Sequence, residues 1–120
     1  MKILVVDDSS IMRKIVTRTL RQAGFGGHDI EEAENGVEAL AKIDADPPDV
    51  VLTDWDMPEM TGSELARAMN EKNLNIPFAS ITSECTTEMK DQANEAGAVA
   101  FLTKPFTPET MQDALGKVLG

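Results

Sequence analysis

A chain of 120 residues with one cysteine, one histidine, one tryptophan and no tyrosine leaves several protein classes out from the start. The lone Cys85 cannot build a disulfide framework and fits a reducing cytosol. Basic side chains are scarce: 11 Lys and Arg face 21 Asp and Glu, for a formal net charge of −10. Nucleic-acid binding draws its affinity from clustered cations that neutralise phosphates, so direct nucleic-acid contact is not expected. Long apolar runs are missing too. Ile3-Leu4-Val5-Val6 is too short for a signal-peptide core, and no stretch can span a bilayer, so we expect a cytoplasmic protein with no membrane partner. There is no low-complexity segment.

What is present reads as βα alternation. Five short apolar, often β-branched runs, near residues 2 to 6, 29 to 34, 49 to 54, 78 to 82 and 99 to 103, alternate with five longer polar segments. The first, third and fifth runs lack clean alternation, as central strands covered on both faces do. The second, Asp29-Ile30-Glu31-Glu32-Ala33-Glu34, is mostly polar and belongs at an edge. The expected fold is α/β, a doubly wound five-stranded parallel sheet of order 2-1-3-4-5, the flavodoxin-like (βα)5 arrangement. At this length we expect one domain over residues 1 to 120, with no output domain after it and a core large enough to need no disulfide or metal staple.

Helix starts carry side chains that accept orphan backbone N–H groups: Asn35 with Glu38 three later, Thr61 with Glu64 three later, and Thr107 followed by Pro108. The first helix is expected from residue 9 to residue 24. The last repeats apolar residues at Met111, Ala114, Leu115, Val118 and Leu119, a helical stripe that should face the sheet. The helix expected over residues 86 to 96 has only Met89, Ala93 and Ala96 as a thin apolar face, which makes it a candidate for movement.

Three strands end on chemically useful residues: Asp7-Asp8 after the first, Asp54 after the third, Lys104-Pro105 after the fifth. Ligands of doubly wound sheets bind beyond the carboxyl ends of the strands, where strand order reverses. Singly, each residue has an ordinary reading. Asp7 or Asp8 can cap the helix that follows, Asp54 can serve a turn, and Lys104 can be a solvated loop lysine. Two adjacent acids resist that reading, because only one can cap and the other adds repulsion. A carboxylate cluster of Asp7, Asp8, Asp54 and Asp56 in a partly desolvated site calls for a cation, Lys104, or both. Mg²⁺ suits it, as a hard ion that takes oxygen ligands and needs only one or two carboxylates. Thr82, closing the fourth strand, would add a hydroxyl on the same rim. A hydroxyl, an ammonium and a metal are what an anionic phosphoryl group needs, with Asp54 as nucleophile forming an acyl phosphate.

The set Asp7-Asp8, Asp54-Trp55-Asp56-Met57-Pro58, Gly62, Thr82-Ser83-Glu84 and Lys104-Pro105-Phe106 resembles the receiver domains of bacterial two-component response regulators over essentially the whole chain. Within that family it is most similar to the single-domain chemotaxis regulators. The resemblance implies that Asp54 accepts phosphate from a sensor histidine kinase or phosphotransfer domain. It implies that Asp8, Asp54 and the backbone carbonyl of Asp56 hold Mg²⁺, with Asp7 acting mostly through water. Lys104 and Thr82 would bind the phosphoryl oxygens, Lys104-Pro105 would be a cis peptide, and Thr82 with Phe101 would form the switch. A monomer that signals to a downstream protein, such as the flagellar motor switch, is the implied assembly.

The chain departs from that pattern in places. Asp56 stands where the chemotaxis regulators carry Asn, and Phe101 where they carry Tyr, so the aromatic has no hydroxyl to bond. Thr87 and Ala114 replace basic residues on the output surface, although Lys90 and Lys117 lie nearby. Arg13, Lys14, Arg18 and Arg21 form a basic face of the first helix that is either simply solvated or guides an acidic phosphotransfer domain. His28, in a glycine-rich loop, reads as a surface residue. Two rival functions remain at this stage. One is a phosphatase of the haloacid-dehalogenase type, suggested by Asp54-Trp55-Asp56 but lacking room for a cap domain and carrying its paired acids before the nucleophile strand. The other is a receiver that acts as a phosphate sink or shuttle, or a degenerate one that binds partners without phosphorylation.

Overall fold

The alternation resolves, in a computed structural model, into a five-stranded sheet whose strands all run parallel. The structure describes residues 2–54, 62–72, 76–82, 91, 95, 97–98, 100–103 and 107–119, without the side chains of 62, 63, 82, 100, 101, 103, 114 and 117–119. The strands are β1 (Lys2–Val6), β2 (Asp29–Ala33), β3 (Val50–Asp54), β4 (Phe78–Thr82) and β5 (Ala100–Thr103). The helices are α1 (Ser10–Leu20), α2 (Gly36–Ala45), α3 (Gly62–Glu71) and α4 (Pro108–Leu119). Strand order is β2-β1-β3-β4-β5, which puts the polar strand at an edge as expected. Residues 83–90 and most of 91–96 lie outside the described residues, and with them the thin helix expected there.

Because side chains alternate across a strand, each central strand feeds two cores. Ile3 and Val5 of β1, Val50 and Leu52 of β3, and Ala79 and Ile81 of β4 join Val16 and Leu20 of α1 and Met111 and Leu115 of α4. Leu4, Val6, Val51 and Phe78 face the other way, onto Ala39 and Ile43 of α2 and Leu65, Ala66 and Met69 of α3. Two faces buried this way leave the sheet little freedom to shift, and the carboxyl-end rim inherits that rigidity. Met111 and Leu115 bear out the apolar stripe read on the last helix. Ser80 of β4 is the exception in this setting. Its hydroxyl is buried and, among the described residues, is the one side-chain oxygen or nitrogen of that kind without a hydrogen bond.

The caps follow the sequence at two helices and differ at one. Asn35 Oδ1 accepts the Glu38 N–H at 2.8 Å. At α4, Thr107 Oγ1 accepts the Thr110 N–H at 3.2 Å while Thr110 Oγ1 accepts the Thr107 N–H at 2.9 Å, a reciprocal pair. Thr61 lies outside the described residues. The cap of α1 is Ser9, whose hydroxyl accepts the Met12 N–H at 3.3 Å, so neither Asp7 nor Asp8 performs that task. The first helix also ends sooner than expected. After Leu20 it widens into a π turn over Arg21–Phe25, within which Gly24 takes φ 99°, a left-handed conformation costly for a residue with a Cβ. The turn buries Ala23 and Phe25, and His28 is half-buried with its ring 6.2 Å from that of Phe25, rather than being a plain surface residue.

At the opposite end of the sheet from the acids, Lys2 ties β1 to its neighbours. Its ammonium donates to Asp46 Oδ2 at 2.7 Å and pairs with Glu31 at 3.3 Å, while its backbone N–H donates to Asp49 Oδ2 at 2.7 Å. Hydrogen bonding to Asp46 holds the Lys2 ammonium above its ordinary pKa, against a smaller opposing effect of burial.

Burial sets a clear contrast along α2. Ile43→Ala, at a fully buried position, should cost about 2–5 kcal/mol. Val37→Ala, 57% exposed on the same helix, should stay within about 0.5 kcal/mol. Urea denaturation followed by circular dichroism measures both.

Candidate functional site

The strand order reverses between β1 and β3: the chain leaves β1 for β2 on one side and later returns to β3 on the other. Register pairs Val6 with Thr53, so Asp7 and Asp54 occupy the next rung of adjacent strands. β4 continues the rim, with Ile81 opposite Asp54 and Thr82 one residue beyond. Thr103 pairs with Thr82, which brings the chain to the same rim just before Lys104. Parallel pairing alone therefore delivers the four segments to one edge. The side chains of Thr82 and Phe101, and all of Asp56, Lys104 and Trp55, lie outside the described residues.

Asp7 and Asp54 are buried, 3% and 7% exposed, and Asp8 is exposed. One carboxylate oxygen from each of the three lies within 4.8 Å of the others. Two unit charges at that separation repel by roughly 3 kcal/mol at an effective dielectric constant of 20, so the cluster favours a bound cation. An octahedral Mg²⁺ with bonds of about 2.1 Å sets its oxygens about 3 Å apart when adjacent and about 4 Å when opposite. Oxygens gathered this closely suit such an ion, held directly or through its waters, and the all-oxygen donor set is the kind it prefers.

Local structure holds these acids from several directions. The Asp7 N–H donates to the Ala33 carbonyl of β2 at 3.1 Å, which extends the β1–β2 ladder by one rung past Val6. Asp7 Oδ1 accepts the Ser9 N–H at 2.9 Å. The Asp7 carbonyl accepts from Arg13 Nη1 at 2.7 Å, and Arg13 Nε donates to Glu32 Oε1 at 3.1 Å. α1 starts three residues after Asp7, and the partial positive charge of its N-terminus favours anions there. On β3, the buried Thr53 hydroxyl donates to the Asp54 carbonyl at 3.0 Å, pinning the backbone that presents the carboxylate.

Sequence reasoning placed Arg13 with Lys14, Arg18 and Arg21 on one basic face. The structure corrects this. The Arg13 side chain is only 12% exposed and turned to Asp7 and Glu32, whereas Lys14, Arg18 and Arg21 are exposed. No linear signal marks the difference, because Arg13 and Glu32 are brought together only by the pairing of β1 with β2.

Comparison with known proteins agrees with this geometry. The family model described as the response regulator receiver domain matches residues 3–116, and the chain belongs to that family. Among its relatives, the chemotaxis protein CheY1 of Helicobacter pylori is 44% identical over 123 residues, covering 100% of this chain and 98% of that one. Chemotaxis protein CheY-3 of Vibrio cholerae is 39% identical, covering 98% and 91%. Among solved structures, Vibrio cholerae chemotaxis protein CheY4 superposes with a TM-score of 0.86 at 39% identity, covering 98% of each chain. The receiver domain of Francisella response regulator 1452 gives 0.86 at 28% identity, covering 98% and 94%. The chain is thus a phosphoacceptor response regulator, a signalling protein that works with a histidine kinase and a downstream target, and the phosphatase reading falls away. No helix among the described residues is long and apolar enough to cross a membrane.

A cation that relieves the repulsion should stabilise the fold. Mg²⁺ at a hundredfold excess over its dissociation constant adds about 2.7 kcal/mol by mass action. Thermal melts with and without millimolar Mg²⁺ should show a higher midpoint with the ion, and a much smaller rise in Asp54→Asn. Equal midpoints for the native chain would rule out the cation site.

Proposed function

We propose that residues 1 to 120 form one cytoplasmic receiver domain in which Asp54 is the phosphoacceptor of a Mg²⁺-dependent transfer from a histidine kinase, serving chemotaxis or motility. The observation that carries this reading is the meeting of Asp54 with Asp7 and Asp8 at the point of strand reversal, their oxygens within 4.8 Å. Full-length likeness to proteins named for chemotaxis supports the pathway.

Asp54 and Asp8, with the backbone carbonyl of Asp56, would hold the ion directly, and Asp7, fixed by Ser9, would act through water. When bound, the ion neutralises charge between the carboxylate and the incoming phosphoryl group. An Asp54 carboxylate oxygen forms a bond to phosphorus as the P–N bond of phosphohistidine breaks. The imidazole keeps the electron pair and takes a proton from solvent. Lys104 and Thr82 would donate to the equatorial oxygens, where charge develops.

Thr82 and Phe101 would then convert phosphate into a change of surface. Their backbones lie on adjoining strands, with Ser80 opposite Phe101 and Thr82 two residues on. Attraction of Thr82 toward the phosphoryl group would open space for Phe101, and phosphate must favour that arrangement differentially for a signal to result. The target is a protein surface, with the flagellar motor switch as the specific proposal, read by a monomer.

Acetyl phosphate with Mg²⁺, followed by intact mass, tests the chemistry. The native chain should gain one phosphoryl group and Asp54→Asn none. Gain of phosphate by the variant would displace Asp54 from its role. Thr82→Ala should keep phosphorylation while flattening the change in amide exchange over residues 83 to 106 on adding beryllium fluoride and Mg²⁺. If the native chain is phosphorylated yet shows no such change, it is a phosphate sink or shuttle.

A further inference from the structure

We infer that Arg13, held by Glu32, is a positioning residue for phosphoryl transfer: it fixes the backbone that presents Asp7 and Asp8 and so sets the affinity of the acid cluster for its cation. The inference rests on the reading of that cluster as the Mg²⁺ site.

The turn between β1 and α1 must hold two carboxylates at fixed positions against their mutual repulsion. Both backbone polar groups of Asp7 are engaged, the N–H by Ala33 and the carbonyl by Arg13 Nη1 at 2.7 Å. The second bond comes from a long side chain with many rotamers, so something must hold the guanidinium itself. Glu32 does so, accepting from Nε at 3.1 Å. Glu32 is in turn anchored, because Lys42 of α2 donates to its backbone carbonyl. A connected path thus runs from α2 through edge strand β2 to the acid-bearing turn. Planar, two-point engagement of this kind suits Arg and not Lys.

Charge gives Glu32 a second role. A lone guanidinium beside a cation site would oppose the cation, and Glu32 compensates it. The small cleft around Arg13, of about 140 Å³, is also lined by Glu34 and Glu38, so the guanidinium sits in acidic surroundings. Removing Arg13 has two opposed effects: a looser turn weakens cation binding, and a more negative surrounding strengthens it. Partners that orient metal ligands are worth about 10–100-fold in affinity, whereas one partly exposed charge contributes about 1 kcal/mol or less, under tenfold. Positioning should win.

The experiment measures the Mg²⁺ dissociation constant from Trp55 fluorescence, together with the Mg²⁺ dependence and maximal rate of phosphorylation by acetyl phosphate. It compares the native chain, Arg13→Ala, Arg13→Lys and the double variant Arg13→Ala with Glu32→Ala. The double variant removes the connection at constant net charge, so it isolates geometry. We expect about tenfold weaker Mg²⁺ binding in the double variant, an intermediate loss in Arg13→Lys, and a maximal rate at saturating Mg²⁺ within about twofold of native. Circular dichroism at the assay temperature checks folding, and Arg13→Lys serves if the alanine variants fail it. Native affinity in the double variant, or in Arg13→Lys should only that variant fold, would overturn the inference, and a lowered melting point alone would leave Arg13 merely structural. Failure of the native chain to bind Mg²⁺ would instead remove the site reading itself, and the inference with it.

Discussion

Like charge held close in a desolvated rim is the constraint to which the rest of the molecule answers. The crossing of the chain between β1 and β3 sets Asp7 and Asp54 on neighbouring strands, nearly out of water, with Asp8 beside them. Left to themselves these groups would move apart. They are kept together because Asp54 closes β3 and Asp7 and Asp8 follow directly on β1, and neither strand has room to yield. β1 and β3 are gripped on both faces, by α1 and α4 on one side and by α2 and α3 on the other. Stability generated by the two cores is thus spent in part on an unfavourable arrangement at one edge, where function is carried.

Parity along the strands decides which layer each functional residue belongs to. Asp54 shares its face of β3 with Val50 and Leu52, and Thr53 falls on the opposite one, so consecutive residues serve different layers. Thr53 then returns to the site through its hydroxyl, which holds the Asp54 carbonyl. Ser80 occupies the equivalent rung of β4, opposite Thr53, and is as fully buried. A hydroxyl left without a bond there costs on the order of 1–3 kcal/mol, an unexpected expense in a strand otherwise built for packing.

Much of this was legible in one dimension. The strands followed from β-branched runs, the edge position of β2 from its carboxylates, and the capping by Asn35 and Thr107 from residue type and spacing. The meeting of Asp7, Asp8 and Asp54 followed from parallel topology, since each stands at the end of a strand. What escaped depends on distances that only folding sets. Ser9, expected as the first helical residue, instead caps α1, while Asp7 accepts the Ser9 N–H. The π turn at Arg21–Phe25 lets Ala23 and Phe25 reach the core, a demand of packing that helical periodicity does not encode. Arg13 looked like any solvated cation until β2 brought Glu32 beside it.

The acidic edge strand has a further effect, on solubility. β2 ends the sheet, and its outer edge offers backbone groups that another copy could pair with. Asp29, Glu31 and Glu32 stud that strand, and in a parallel or antiparallel approach they would bring carboxylates of two molecules face to face. The same side chains that mark β2 as peripheral therefore keep it solitary at neutral pH.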